Sequence, residues 1–129
     1  MPAPFRIAVA DDSPATRAAV GAAVAAEAEL EPGGEAGGGE ATLALLRDVR
    51  PDVALLDVMM PPPTGPEVVR ALRDELPGTT FVLMSTLPEP ELALRAALAG
   101  AAMFVDKRRG PAFCVSVALA AARRWDGVR

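Results

Sequence analysis

The stretch VALLDVMMPPPTG, Val53–Gly65, decides the fold. Val53–Leu56 is a short apolar run with no polar alternation, the pattern of a strand buried on both faces. It runs directly into Asp57. Met59-Met60-Pro61-Pro62-Pro63-Thr64-Gly65 then forms an ordered loop too rich in proline for regular structure. A strand covered on both faces requires helices on both sides of its sheet.

The flanking sequence supplies those helices. Phe5–Ala10 reads as a buried strand, and Ser13 followed by Pro14 caps a helix that runs to about Ala28. Leu30–Ala36 is a second strand, weakened by Pro32, Gly33 and Gly34 and therefore placed at an edge. Gly37-Gly38-Gly39 is a turn. Glu40–Val49 carries Leu43, Leu46 and Val49 at helical spacing and stops before Pro51. After the proline loop, Pro66–Leu76 places Val68, Val69, Leu72 and Leu76 on one side of a helix. Thr80–Met84 is a strand, Glu89–Ala99 a helix ended by Gly100, Ala102–Val105 a short strand, and Pro111–Trp125 the last helix. Strands alternating with helices imply an α/β fold with a doubly wound parallel sheet, and the commonest five-stranded order is 2-1-3-4-5.

Bulk properties agree with one soluble domain spanning residues 1–129. The chain is 51% apolar and 23% charged, and no apolar run reaches the roughly 18 residues that cross a membrane. No basic segment followed by an apolar one opens the chain, so no signal peptide is expected. Cys114 has no partner for an internal disulfide, which fits a reducing cytoplasm. Seventeen acidic against thirteen basic side chains give a net charge of −4, which speaks against nucleic acid as a direct partner. The arginines near the C-terminus read as a solvated face. There is no histidine, so histidine catalysis and histidine metal sites are excluded.

Four of the five strands end in polar residues: Asp11 and Asp12, Asp57, Ser85, and Asp106 with Lys107. Open α/β sheets bind ligands beyond the carboxyl ends of their strands, where strand order reverses. Each aspartate alone could be a turn residue, Lys107 a surface lysine and Ser85 a loop hydroxyl. Together they form a conflict, since three carboxylates at one sheet end raise one another's pKa. A divalent cation and an ammonium group remove it. Mg²⁺ takes oxygen ligands in octahedral geometry. Asp12 and Asp57 are first choices as direct ligands, Asp11 binds directly or through water, and the Met59 carbonyl can add a ligand. Asp57 is the candidate nucleophile, because carboxylates form aspartyl-phosphate intermediates. Lys107 would neutralise phosphoryl oxygens and Ser85 would hydrogen-bond one of them.

These stretches, VADD (Val9–Asp12), PDVALLDVMMPPPTG (Pro51–Gly65), FVLMST (Phe81–Thr86) and GAAMFVDK (Gly100–Lys107), resemble the receiver domains of two-component response regulators, the CheY-like family with a flavodoxin-like (βα)5 fold. The resemblance implies that Asp57 is the phosphorylation site and that a sensor histidine kinase is the donor. It makes Asp11 and Asp12 the metal-binding acidic pair and Lys107 a phosphoryl contact. It makes Ser85 and Phe104 a switch in which the hydroxyl moves toward the phosphate and the ring turns inward. Thr86 falls where the family usually has a small residue. The family usually follows its lysine with a cis proline, whereas Arg108 stands here. Met59 and Leu87 lie where side chains can flank the water that attacks the acyl phosphate, and neither orients water, so slow self-dephosphorylation is expected.

The stretch from DDSPATRAAV to EAGGGEATLALLRDVRPD resembles receivers that precede a helix-turn-helix DNA-binding domain. The chain would then be an excised receiver, or one that works alone through protein contacts. The apolar circumference of the last helix (Phe113, Cys114, Val115, Val117, Leu119) suggests a homodimer through that helix and its neighbours. Two rival classes are weaker. A phosphorylation-independent receiver-like interaction module predicts loss of the acidic pair, acceptor or lysine. A phosphohydrolase with an aspartyl nucleophile wants a second carboxylate where Met59 stands. On this reading the chain is no enzyme beyond its own phosphorylation and dephosphorylation.

Overall fold

A computed structural model describes residues 3–86 and 90–126, with the backbone alone for 90–93, 125 and 126. Leu87 and Glu89 therefore lie outside the described residues. The elements run β1 (Phe5–Ala10), α1 (Pro14–Ala25), β2 (Leu30–Ala36), α2 (Gly39–Val49), β3 (Val53–Asp57), α3 (Gly65–Leu72), β4 (Thr80–Ser85), α4 (Pro90–Ala99), β5 (Met103–Asp106), a 3-10 turn (Lys107–Arg109) and α5 (Pro111–Asp126). The strands are parallel and ordered 2-1-3-4-5, with β3 central. No helix among the described residues is long and apolar enough to cross a membrane.

Successive strand side chains point to opposite faces, and this splits the core into two layers. Ile7, Val9, Val53, Leu55, Val82, Met84 and Val105 pack on one face against Val20 and Val24 of α1 and Cys114, Val115 and Leu119 of α5. Ala8, Ala54, Leu56, Phe81 and Leu83 pack on the other against Leu46 of α2, Val68, Val69 and Leu72 of α3, and Ala96 and Ala99 of α4. Every residue of β3 is buried, which is why its sequence shows no alternation.

Local chemistry sets the helix starts. The Ser13 hydroxyl accepts the Thr16 N–H at 3.2 Å, with Pro14 at the first helical position. Thr64 and Glu67 close a capping box at α3, each side chain accepting the other's backbone N–H. Two boundaries differ from the expectation by more than one residue. α1 stops at Ala25 rather than near Ala28, and α3 stops at Leu72 rather than Leu76. Leu76 still buries its side chain, through a turn whose N–H reaches the Leu72 carbonyl at 2.7 Å, so apolar spacing alone overextended the helix. β2 pairs only with β1, and its register slips between Ile7 and Val9, opposite the Pro32–Gly34 segment.

Candidate functional site

β1 and β3 lie side by side with Ala10 opposite Leu56, so the residues that follow emerge together. Asp11 is fully buried. One of its oxygens accepts the Ser13 N–H at 2.9 Å, which ties the start of α1 to this carboxylate. The other accepts Lys107 Nζ at 2.6 Å. Asp57 closes β3 and is buried too, while Asp12 is exposed next to Asp11. Carboxylate oxygens of Asp11, Asp12 and Asp57 lie within 4.8 Å of one another.

The electrostatics follow from that crowding. Burial, and after it the Asp11 charge, push the Asp57 carboxyl up, to a net value of about 6 from 3.8. Lys107 Nζ, 3.5 Å from Asp57 Oδ2, and the Met59 N–H, 3.3 Å from Oδ1, pull it down without cancelling the rise. Burial works against the Lys107 ammonium, but the bond to Asp11 and the charges of both aspartates outweigh it and hold its pKa above the ordinary lysine value. One ammonium thus offsets part of three closely set carboxylates. The donor set is hard oxygen with no thiolate or imidazole, which fits Mg²⁺ and not a softer metal.

The remaining predicted residues fall as follows. Ser85 ends β4, is buried, and sits opposite Asp106 across the β4–β5 pair. Phe104 sits opposite Leu83, half-buried against the α2–α3–α4 layer rather than sealed within it. The Met59 side chain is 61% exposed beside Asp57. A cleft of about 370 Å³ adjoins Lys107, bounded by Ala15 and Thr16 of α1, Thr86, Arg108 and Cys114. Burial pushes the Cys114 thiol up, so it is a packing residue rather than a reactive one. A second cleft, of about 400 Å³, lies at the opposite end of β4 around Pro77, Phe81 and Ala102, away from the carboxylates.

Two supports were not foreseen from sequence. Arg17 donates from Nη1 to the Asp11 carbonyl at 2.7 Å and from Nε to Glu35 at 3.2 Å, bracing the β1–α1 turn. Arg108, in place of the family's proline, uses the N–H a proline lacks to bond Asp106 at 2.9 Å. The Arg17 role has no local signal, because Glu35 reaches it only through the fold; the Asp106–Arg108 bond spans two residues, and an aspartate two positions ahead is the local signal that could have found it.

The family model for the response regulator receiver domain matches residues 7–116. The chain is 34% identical over 119 residues to the "uncharacterized transcriptional regulatory protein YxjL" of Bacillus subtilis, covering 92% of this chain and 55% of that protein. It is 40% identical over 107 residues to the "probable transcriptional regulatory protein NarL" of Mycobacterium tuberculosis, covering 82% of this chain and 49% of that one. It therefore spans about half the length of these regulators. Among solved structures, the signal receiver domain of NarL from Mycobacterium tuberculosis superposes with a TM-score of 0.89 at 36% identity, over 95% of this chain and 98% of that domain. A family match over most of the chain, relatives that are transcriptional regulators, and the shared strand order lead to one conclusion: the chain belongs to the response regulator receiver domains of two-component systems.

Proposed function

We propose that this receiver accepts a phosphoryl group on Asp57 from a sensor histidine kinase, in a reaction that needs Mg²⁺. The reading rests on one observation: three carboxylates lie within 4.8 Å of one another, and a single ammonium bridges two of them, Asp11 and Asp57, the latter with its pKa raised to about 6. Asp11, Asp12 and Asp57, with the Met59 carbonyl, would hold the ion, which when bound neutralises charge on the phosphoryl oxygens. The Asp57 carboxylate attacks phosphorus; an oxygen–phosphorus bond forms as the bond to the donor's leaving atom breaks, and the donor departs with that electron pair. Lys107, held between Asp11 and Asp57, meets the equatorial oxygens and stabilises their developing charge.

Ser85 and Phe104 then act as the switch. The hydroxyl at the end of β4 bonds the attached group, and the half-buried ring on β5 turns inward. The phosphoryl group shifts the population only by binding the active arrangement better than the inactive one. The output is transcriptional, by likeness to the regulators it matches, and the protein acts in the cytoplasm as a switch rather than a turnover enzyme. A second copy, docking on the last helix and its neighbours, is the partner of the phosphorylated state.

Incubation with acetyl phosphate and Mg²⁺, followed by intact mass, tests this. The native chain should gain one phosphoryl mass, and Asp57→Asn or omission of Mg²⁺ should abolish the gain. An unmodified native chain would leave the phosphorylation-independent interaction module in its place.

A further inference from the structure

Lys107 is the chain's single lysine; every other basic side chain is arginine. Its Nζ must hold 2.6 Å to Asp11 while facing Asp57 at 3.5 Å. A lysine stem has four rotatable bonds, so the tip is placed only as well as its own backbone is fixed. That backbone belongs to a three-residue 3-10 turn, Lys107–Arg109, a type of turn with few internal bonds.

The turn is held from outside. Asp106, the last residue of β5, reaches over Lys107 and accepts the Arg108 N–H at 2.9 Å. The Arg108 guanidinium returns to the same carboxylate, with Nε 3.1 and 3.3 Å from its two oxygens and Nη2 at 3.0 Å. Gly110 closes the far side, its N–H donating to the Lys107 carbonyl at 3.0 Å. The clamp joins residues 106 and 108 across the backbone of 107, so it restricts the one residue whose aim matters. An exposed ion pair adds little to folding stability, and Arg108 is largely exposed, so stability alone gives this pair little reason to exist.

We propose that Asp106 is a positioning residue for Lys107: its clamp on Arg108 fixes the turn that aims the ammonium at Asp11 and Asp57. This rests on the reading that Lys107 contacts the phosphoryl group, and the test separates the two.

Phosphorylation rates with acetyl phosphate at saturating Mg²⁺ are compared for native chain, Asp106→Ala, Lys107→Met and the double variant. Asp106→Ala should be slower by about tenfold, the scale of a small misplacement of a catalytic group. The double variant should be no slower than Lys107→Met, because a residue that acts through Lys107 has nothing left to position. A merely structural role would instead multiply the two losses. In metal-free protein, the only side-chain ammonium should give one slowly exchanging ¹⁵N signal that is lost in Asp106→Ala. If Asp106→Ala does not fold, Asp106→Asn, which keeps the shape and an acceptor, carries the same comparison with a smaller slowing. Native rates in Lys107→Met would sink the reading of Lys107 and this inference with it. Slowing in Lys107→Met, with none in Asp106→Ala or with multiplied losses in the double variant, would overturn the positioning role alone.

Discussion

Asp57 is costly to hold in a folded chain. Its carboxyl, raised to about 6 from 3.8, binds a proton more tightly folded than unfolded, so its contribution favours folding below the unfolded value and is lost as pH rises through about 6. Metal-free protein should therefore lose stability between about pH 4 and pH 7, by up to about 3 kcal/mol for a shift of this size. Chemical denaturation across that range should show the loss, and Asp57→Asn should flatten it. On the proposed reading, added Mg²⁺ at pH 7.5 should restore stability by mass action, because the unfolded chain does not bring the three carboxylates together. A pH-independent native chain would contradict the crowding on which the site is built. Met59 offers a second check on the same site. Its exposed thioether orients no water, so Met59→Asn should shorten the phosphoryl lifetime, read as decay of the phosphorylated mass; an unchanged lifetime would count against slow self-dephosphorylation. The carboxylates, Lys107 and Ser85 were legible in the sequence because each follows an apolar strand, where a polar residue stands out. Arg17 was not: it reads as an ordinary helix arginine, and its contact with Glu35 forms only in the fold. Asp106 stood out as a strand-end residue, but its position alone does not say that it bonds Arg108.

The elements that carry the site are fitted to each other through backbone contact. The proline loop lies against the glycine turn that opens α2. The Gly39 N–H donates to the Pro61 carbonyl at 3.0 Å, and a Cβ at Gly39 would meet the Pro63 carbonyl oxygen at 1.9 Å. A Cβ at Gly65 would likewise stand 2.4 Å from the Asp57 carbonyl oxygen. Gly38, in contrast, is extended, and a Cβ there would meet only the Pro61 side chain, at 3.8 and 3.9 Å. Gly39→Ala should consequently push the loop that carries Met59 and weaken Mg²⁺ binding by about tenfold, while Gly38→Ala leaves binding close to native; titration calorimetry on both reads the difference. Equal affinities would mean the loop yields without disturbing the metal ligands. The two triplets were each readable as loops, but not their contact, because proline and glycine spell local conformation and not which distant backbone they touch. The same limit explains α3: its apolar spacing continues to Leu76 although the helix ends at Leu72, since burial is satisfied equally by a turn.

At the scale of the whole molecule, the sheet is sealed on both faces, and among the described residues three of the four exposed large apolar side chains, all but Met59, gather toward one edge. The apolar circumference of α5, which alone suggested self-association, is largely consumed inside: Cys114, Val115, Ala118, Leu119, Ala121 and Ala122 are buried, and Phe113 and Val117 pack partly against the same layer. The surplus lies beside it. Leu94 and Leu98, one turn apart on α4, are 59% and 67% exposed, and Met103 on the edge strand β5 is exposed as well. Exposed leucines at helical spacing are costly in water unless a partner covers them. Phe104 sits on that same strand, next to Met103, so the proposed inward turn of its ring would alter the edge where these side chains lie. Light scattering should then show association that grows with phosphorylation and falls back in Leu98→Glu, which places a charge where a partner would seat an apolar surface. Leu98 points to solvent in the single chain, so the substitution should leave the thermal midpoint unchanged and act on association alone. A monomer both with and without the phosphoryl group would remove the second copy as a partner and leave the edge for another protein to cover.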